Sequence, residues 1–187
     1  MESMEEVVLE ADDKMSKAVE FLASEFSGLR TGKASPSLVE NVQVDYYGTP
    51  TRLRDLANIS TPEPRLIVIN PFDPSSLDAV VKAIQAANLG VTPMNDGRLI
   101  RIPIPELSEE RRKELLKVAK RMAEEQRVAV RNVRREANEK VKGLQKENKI
   151  TEDDRDASLE EIQETTDMYI KKIDEMVQAK EVDVLVV

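Results

Sequence analysis

The sequence predicts an α+β fold in which a long three-helix bundle is interrupted by a small β/α/β domain. Three observations carry this. Apolar residues recur at three- and four-residue steps at both ends of the 187-residue chain, they alternate with a period of two in the middle, and no proline occurs from Ser108 onward. The first pattern belongs to amphipathic helices and the second to half-buried strands, so the ends and the middle are different kinds of structure.

A first helix is expected from about Met4 to Leu29, with Val8, Met15, Val19, Leu22, Phe26 and Leu29 on its inner face, and Gly28 and Gly32 weaken its end. The small, polar stretch TGKASPS then reads as a linker. Strands follow in NVQVDYYG, RLIVIN and RLIRIPIP, where Val42, Val44 and Tyr46, and later Ile100, Ile102 and Ile104, alternate with other residues. Gly48, Thr49 and Pro50 read as a turn. Between the strands, PSSLDAVVKAIQAANLG has the Pro and Ser start and the Gly end of a capped helix, and Asp96 and Gly97 mark a turn. A second long helix runs from Ser108 to about Asn148, and a third, capped by Thr151, to about Lys180. Its inner face carries Leu159, Ile162, Thr166, Tyr169, Ile170, Ile173 and Val177. Helices this long need cover, and three can cover one another. The expected division is therefore 1–30 with 106–187 as the bundle and 31–105 as the inserted domain. Linkers near 30–36 and 103–106 form a hinge, built from Thr31, Gly32, Lys33, Ser35, Pro36, Pro103 and Pro105.

Composition narrows the function. The chain has neither cysteine nor histidine, so disulfides, thiol catalysis, imidazole metal ligands and a Ser-His-Asp triad are all excluded. It fits a reducing cytoplasm. No window approaches 18 consecutive apolar residues, and the N-terminus is acidic where a targeting peptide would be basic, so no membrane partner is expected. TGKAS lacks the first glycine of a phosphate loop, and TEDDRD lacks the glycine and terminal glutamate of a calcium loop and reads as a helix cap. Asp45, Tyr46 and Tyr47 read as structural strand residues. No catalytic constellation is present, and neither a metal nor a cofactor is expected.

Charge is the informative feature. The net charge is -8, yet residues 111–149 carry 14 basic and 6 acidic residues, while 1–29 and 150–187 are strongly acidic. Within RVAVRNVRREAN, Arg127, Arg131, Arg134 and Arg135 fall in nine residues. At about 100° per residue they share an arc of about 120° with Lys113, Lys117, Lys120, Lys142, Lys146 and Lys149. Apolar residues, among them Leu115, Ala119, Ala123, Val130, Val133, Ala137 and Val141, fall on a second arc nearly opposite. Such a face is either simply solvated and paired with neighbouring acids, or it meets a polyanion. Arginine suits phosphate forks better than lysine does, and flanking acidic helices would confine a nucleic acid to one side. With few aromatics available for stacking, backbone contact with structured RNA or a duplex is the expected mode. An adaptor that docks an acidic protein on the same face is the alternative.

The segments LRTGKASPSLVENVQVDYYGTPTRLRDLA, INPFD, DGRLIRIPIPELSEERRKEL and EEQRVAVRNVRREANEKVK together resemble the bacterial ribosome recycling factor family, in order and along nearly the whole chain. The resemblance implies an L-shaped pair of domains, a three-helix bundle and a small domain joined by a flexible elbow. It implies a monomeric, non-enzymatic cytoplasmic factor that acts after termination. Together with elongation factor G and GTP, such a factor releases the ribosome from mRNA by splitting it into subunits. It also implies that the bundle contacts large-subunit rRNA and that the small domain meets elongation factor G. By the same resemblance, Arg131 and Arg134 contact rRNA, with Arg127 and Arg135 in support and Arg30 as a further functional arginine. Lys117 and Lys120 extend that face. Lys33 stands where the family commonly has arginine, keeping the charge and losing the fork.

Overall fold

A computed structural model describes residues 3–185. Met1, Glu2, Val186 and Val187, which the expected domain bounds include, lie outside the described residues. The chain forms two compact units: the residues up to Thr31 together with Glu109–Leu185, and Gly32–Ser108.

Helix α1, Met4–Gly28, opens the first unit. Its start is fixed by a reciprocal cap, in which the Ser3 amide donates to Glu6 Oε2 at 2.7 Å and the Glu6 amide donates to Ser3 Oγ at 3.2 Å. Its buried stripe is Val7, Ala11, Met15, Leu22 and Phe26. Val7 takes the place expected for Val8, because Ala11 continues the stripe but is too small to mark it in sequence.

The chain then enters the second unit. Strands β1, Gln43–Tyr46, and β2, Thr49–Arg52, form a hairpin. Its turn is Tyr47-Gly48, both at positive φ (51° and 81°), and the Gly48 amide donates to Asp45 Oδ1 at 2.8 Å. The expected turn at Gly48–Pro50 is thus corrected by one residue: Thr49 and Pro50 already belong to β2, an edge strand where a missing N–H is tolerated. A one-turn helix α2, Leu53–Leu56, leads to β3, Ala57–Glu63, then β4, Leu66–Pro71. Helix α3, Leu77–Ala86, follows a 3-10 turn capped by Asp73, whose Oδ1 accepts from the Ser75 amide. Strands β5, Met94–Asn95, and β6, Ile100–Pro103, complete an antiparallel sheet in the order β3-β4-β6-β5. Asp96 Oδ1 accepts from the Arg98 and Leu99 amides in the connecting turn. Ile67 and Ile69 of β4 lie directly opposite Ile102 and Ile100 of β6, and all four are fully buried with Val80 and Ile84 of α3, Val39, Val44 and Leu53. The alternation of β4 and β6 therefore feeds a single core.

The chain returns to the first unit with α4, Glu109–Lys146, and α5, Glu152–Leu185. Helix α4 ends on Asn148 at φ 55°, with the Asn148 amide donating to the Gln145 carbonyl and the Lys149 amide to the Leu144 carbonyl, which closes the last turn. Helix α5 runs past the expected end at Lys180 because Val184 is buried and extends its apolar stripe. Met15, Leu22, Ala123, Val130, Tyr169 and Ile173 form one bundle cluster, and Val7, Ala11, Ala137, Val141 and Ile162 form another toward the far end. Each large buried side chain among them stabilises the fold by about 1.5–3 kcal/mol. Polar groups on these faces find partners: Thr166 and Ser158 donate to carbonyls one turn back, and the Tyr169 hydroxyl donates to Asp12 Oδ1 at 3.0 Å.

Candidate nucleic-acid interface

Helix α4 displays the basic residues, and at 38 residues it is about 57 Å long. Sequence reasoning set its apolar and basic arcs nearly opposite one another. They adjoin instead. Taking about 100° per residue, the apolar arc ends near Leu116 and Val141 and the basic arc begins there with Arg134 and Arg127, about 120° separating the two centres. The basic arc is consequently two strips, one on the seam with α5 and one facing outward.

The seam strip is occupied by ion pairs. Arg127 has a side chain only 19% exposed, with Nε and Nη2 donating to Asp174 Oδ1 of α5 at 2.9 and 2.7 Å. Its Nη1 donates to Glu124 Oε2 at 3.1 Å. Arg131 Nη1 donates to the other oxygen of Glu124 at 3.0 Å. Arg134 Nη1 donates to Gln163 Oε1 at 3.2 Å, and Lys120 Nζ lies 2.9 Å from Glu181 Oε1. Hydrogen bonds first from Arg127 and then from Arg131 hold the Glu124 carboxyl below its usual range. Two arginines and two carboxylates make this cluster electrically neutral.

The outward strip differs. Lys117 and Arg135 are exposed and, among the described residues, have no side-chain partner. Arg121 and Lys142 share that condition, and the four fall within about 60° of one another on the helix wheel. Arg121 was missed in sequence because it sits at the margin of the arc beside Met122 and Ala123; its direction becomes evident once the seam with α5 is known. Of the expected rRNA contacts, the structure therefore brings Arg127, Arg131, Arg134 and Lys120 to the α5 seam and Lys117 and Arg135 to the open side. Arg30 follows the α1 C-cap Leu29 and is exposed, in the chain segment leading to the second unit.

The expected hinge residues are distributed unevenly. Thr31 closes the first unit, whereas Gly32, Lys33, Ser35, Pro36, Pro103 and Pro105 belong to the second. Pro36 opens a 3-10 turn capped by Ser35, and Pro103 is paired with Leu66 in the sheet. Both prolines are therefore framework, not loose linker. No described helix is long and apolar enough to cross a membrane.

Comparison with known proteins agrees along the chain. The sequence profile of the family described as Ribosome recycling factor matches residues 22–185. The ribosome-recycling factor of Carboxydothermus hydrogenoformans is 50% identical over 182 residues, covering 97% of this chain and 98% of the relative. That of Heliobacterium modesticaldum is 51% identical over 180 residues, covering 96% and 97%. A solution structure of the ribosome recycling factor superposes with a TM-score of 0.77 at 41% identity, covering all of both chains. A second structural relative has a TM-score of 0.66 and 41% identity over 98% of this chain and 100% of its own. It is the T. thermophilus ribosome recycling factor, described with the E. coli elongation factor G as bound to the E. coli post-termination complex. With a family profile spanning most of the sequence and relatives near half identity over nearly all of it, the chain belongs to the ribosome recycling factor family, whose members are non-enzymatic translation factors.

Proposed function

We propose that this protein, acting with elongation factor G and GTP, splits the post-termination ribosome into subunits and so releases it from mRNA. It does so as a monomer in the cytoplasm, seated on large-subunit rRNA through α4. The observation that carries the rRNA contact is the outward strip of Lys117, Arg121, Arg135 and Lys142 on one continuous helix, without side-chain partners among the described residues. Its charges are exposed, are not spent on ion pairs among the described residues, and stand at helical repeats along a surface that a phosphate backbone can follow. The acidic character of residues 1–29 and 150–187 repels a polyanion elsewhere on the first unit. Monomeric action is supported by the three helices covering one another's apolar stripes within one chain. The family relative described with elongation factor G supports that protein as the partner.

The test is a subunit-splitting assay with elongation factor G and GTP, in which omission of this protein abolishes splitting. Charge reversal at Lys117 and Arg135 together weakens binding to purified large subunits by one to two orders of magnitude at about 100 mM salt. It also flattens the salt dependence by roughly two charges' worth. Unchanged affinity in that double variant overturns the rRNA contact. Binding that survives nuclease digestion of the subunit would point instead to an acidic protein partner.

A further inference from the structure

The neutral cluster on the α5 seam poses a problem for an rRNA-contacting Arg131, because its guanidinium already holds a carboxylate. Glu124 reaches forward one and two turns along α4 and gives one oxygen to each arginine: Oε2 to Arg127 at 3.1 Å and Oε1 to Arg131 at 3.0 Å. That arrangement is the one a phosphate would adopt, two oxygens each accepting from a different guanidinium. The two arginines are not equivalent, however. Arg127 is largely buried and is held from beneath by Asp174 through Nε and Nη2, so it stays in place whatever Glu124 does. Arg131 is 43% exposed and, among the described residues, is held by Glu124 alone, itself 54% exposed.

We infer that Glu124 is an intramolecular stand-in for phosphate, a carboxylate that occupies Arg131 in the free protein and must be displaced when Arg131 takes a phosphate of rRNA. This rests on the reading of α4 as an rRNA-binding helix and names the residue that sets how tightly it binds. Two consequences are built into the geometry. The carboxylate holds the Arg131 guanidinium in one place beside Arg127, so less side-chain freedom is lost on binding. It also lowers the affinity, since a phosphate gains Arg131 only by expelling a charge-assisted partner and then lies beside a second negative charge. A factor that must leave the ribosome after each round benefits from such a limit.

The measurement is equilibrium binding to purified large ribosomal subunits across a salt series, for the parent chain, Glu124→Gln, Arg131→Gln and the double variant. Glu124 is exposed, so the fold is retained; thermal unfolding checks that each variant is folded. Glu124→Gln is expected to bind on the order of three- to tenfold more tightly at low salt, with a salt dependence steeper by close to one charge. In the Arg131→Gln background the same substitution should change affinity by less than about twofold, because the competition it relieves no longer exists. An equal gain in both backgrounds would mean that Glu124 acts only as a long-range charge, which overturns the inference. Weaker or unchanged binding by Glu124→Gln overturns it as well. Failure of the underlying rRNA reading has a different signature: reversal of Lys117 and Arg135, which never touch Glu124, would then leave binding unaltered.

Discussion

Arg127 and Arg135 stand eight residues apart on one helix and are bound to different fates. Arg127 bridges α4 to α5 through Asp174, with its side chain at 19% exposure, whereas Arg135 projects into solvent with no partner among the described residues. Arg127→Ala should therefore lower stability by about 1 kcal/mol, the partly exposed carboxylates on the other side limiting the loss, while Arg135→Ala stays within about 0.5 kcal/mol. Urea denaturation of the two variants measures the contrast, and equal midpoints would remove the structural role given to Arg127. This split is also where the sequence was least legible. Four arginines at helical spacing announced a basic face, and the family resemblance pointed to Arg131 and Arg134. Neither could say which guanidinium is consumed by α5, because Asp174 lies 47 positions away and its register against α4 is a property of the packed bundle. Lys117 and Arg135, candidates on the same arc, stay exposed and without a side-chain partner among the described residues, while Arg131 and Arg134 are hydrogen-bonded.

At the scale of elements, local chemistry sets most boundaries. Thr151 and Asp154 cap α5 reciprocally: the Thr151 amide and hydroxyl donate to Asp154 Oδ2 at 3.1 and 2.6 Å, and the Asp154 amide donates to Thr151 Oγ1 at 3.1 Å. The Thr151 side chain, then its backbone amide, hold the Asp154 carboxyl below its ordinary value. A carboxyl whose folded pKa is depressed contributes stability that is present above the unfolded value, about 3.9. That stability is lost as pH falls through the lower folded value. Thr151→Ala should cost on the order of 1 kcal/mol near neutral pH, and the deficit should shrink as the pH falls below about 4. Thermal unfolding of the variant and parent between pH 3 and pH 7 tests this, and a pH-independent deficit would contradict it. The long helices, this cap and the strands β4 and β6 were readable because each has a strong period or a capping pair. Strands β2, β3 and β5 were not: TPTR and ANISTPE are polar and proline-bearing, β5 has two residues, and only Ala57 among them is buried. They exist because neighbouring strands offer them hydrogen bonds, a cause that lies outside their own sequence.

At the scale of the whole molecule, the two units are joined by two chain segments, and the structure ties both down on the side of the second unit. The Ala34 amide donates to the Pro64 carbonyl at 2.7 Å, and the Ile104 amide donates to the Arg65 carbonyl at 2.8 Å. Arg65 also forms an ion pair with Glu106. The β3–β4 turn at Pro64 and Arg65 thus buckles the incoming and outgoing segments together. We propose that the pivot lies outward of Pro36 and Pro103, in the few residues around Arg30–Gly32 and Leu107–Ser108. Gly32 sits at φ +77°, where a Cβ would lie 3.1 Å from Leu107 Cγ, so a side chain there strains both segments at once. We propose that interdomain orientation varies in solution about this short pivot. Backbone nitrogen relaxation should then show lower order at Thr31 and Leu107 than at Ala34 and Ile104, and scattering should require more than one orientation of the units. Gly32→Ala, which strains the pivot by about 1–2 kcal/mol, should slow subunit splitting several-fold while large-subunit binding through α4 is retained. A single rigid orientation, or full splitting activity in Gly32→Ala with the pivot shown to be immobile, would remove the hinge from the mechanism.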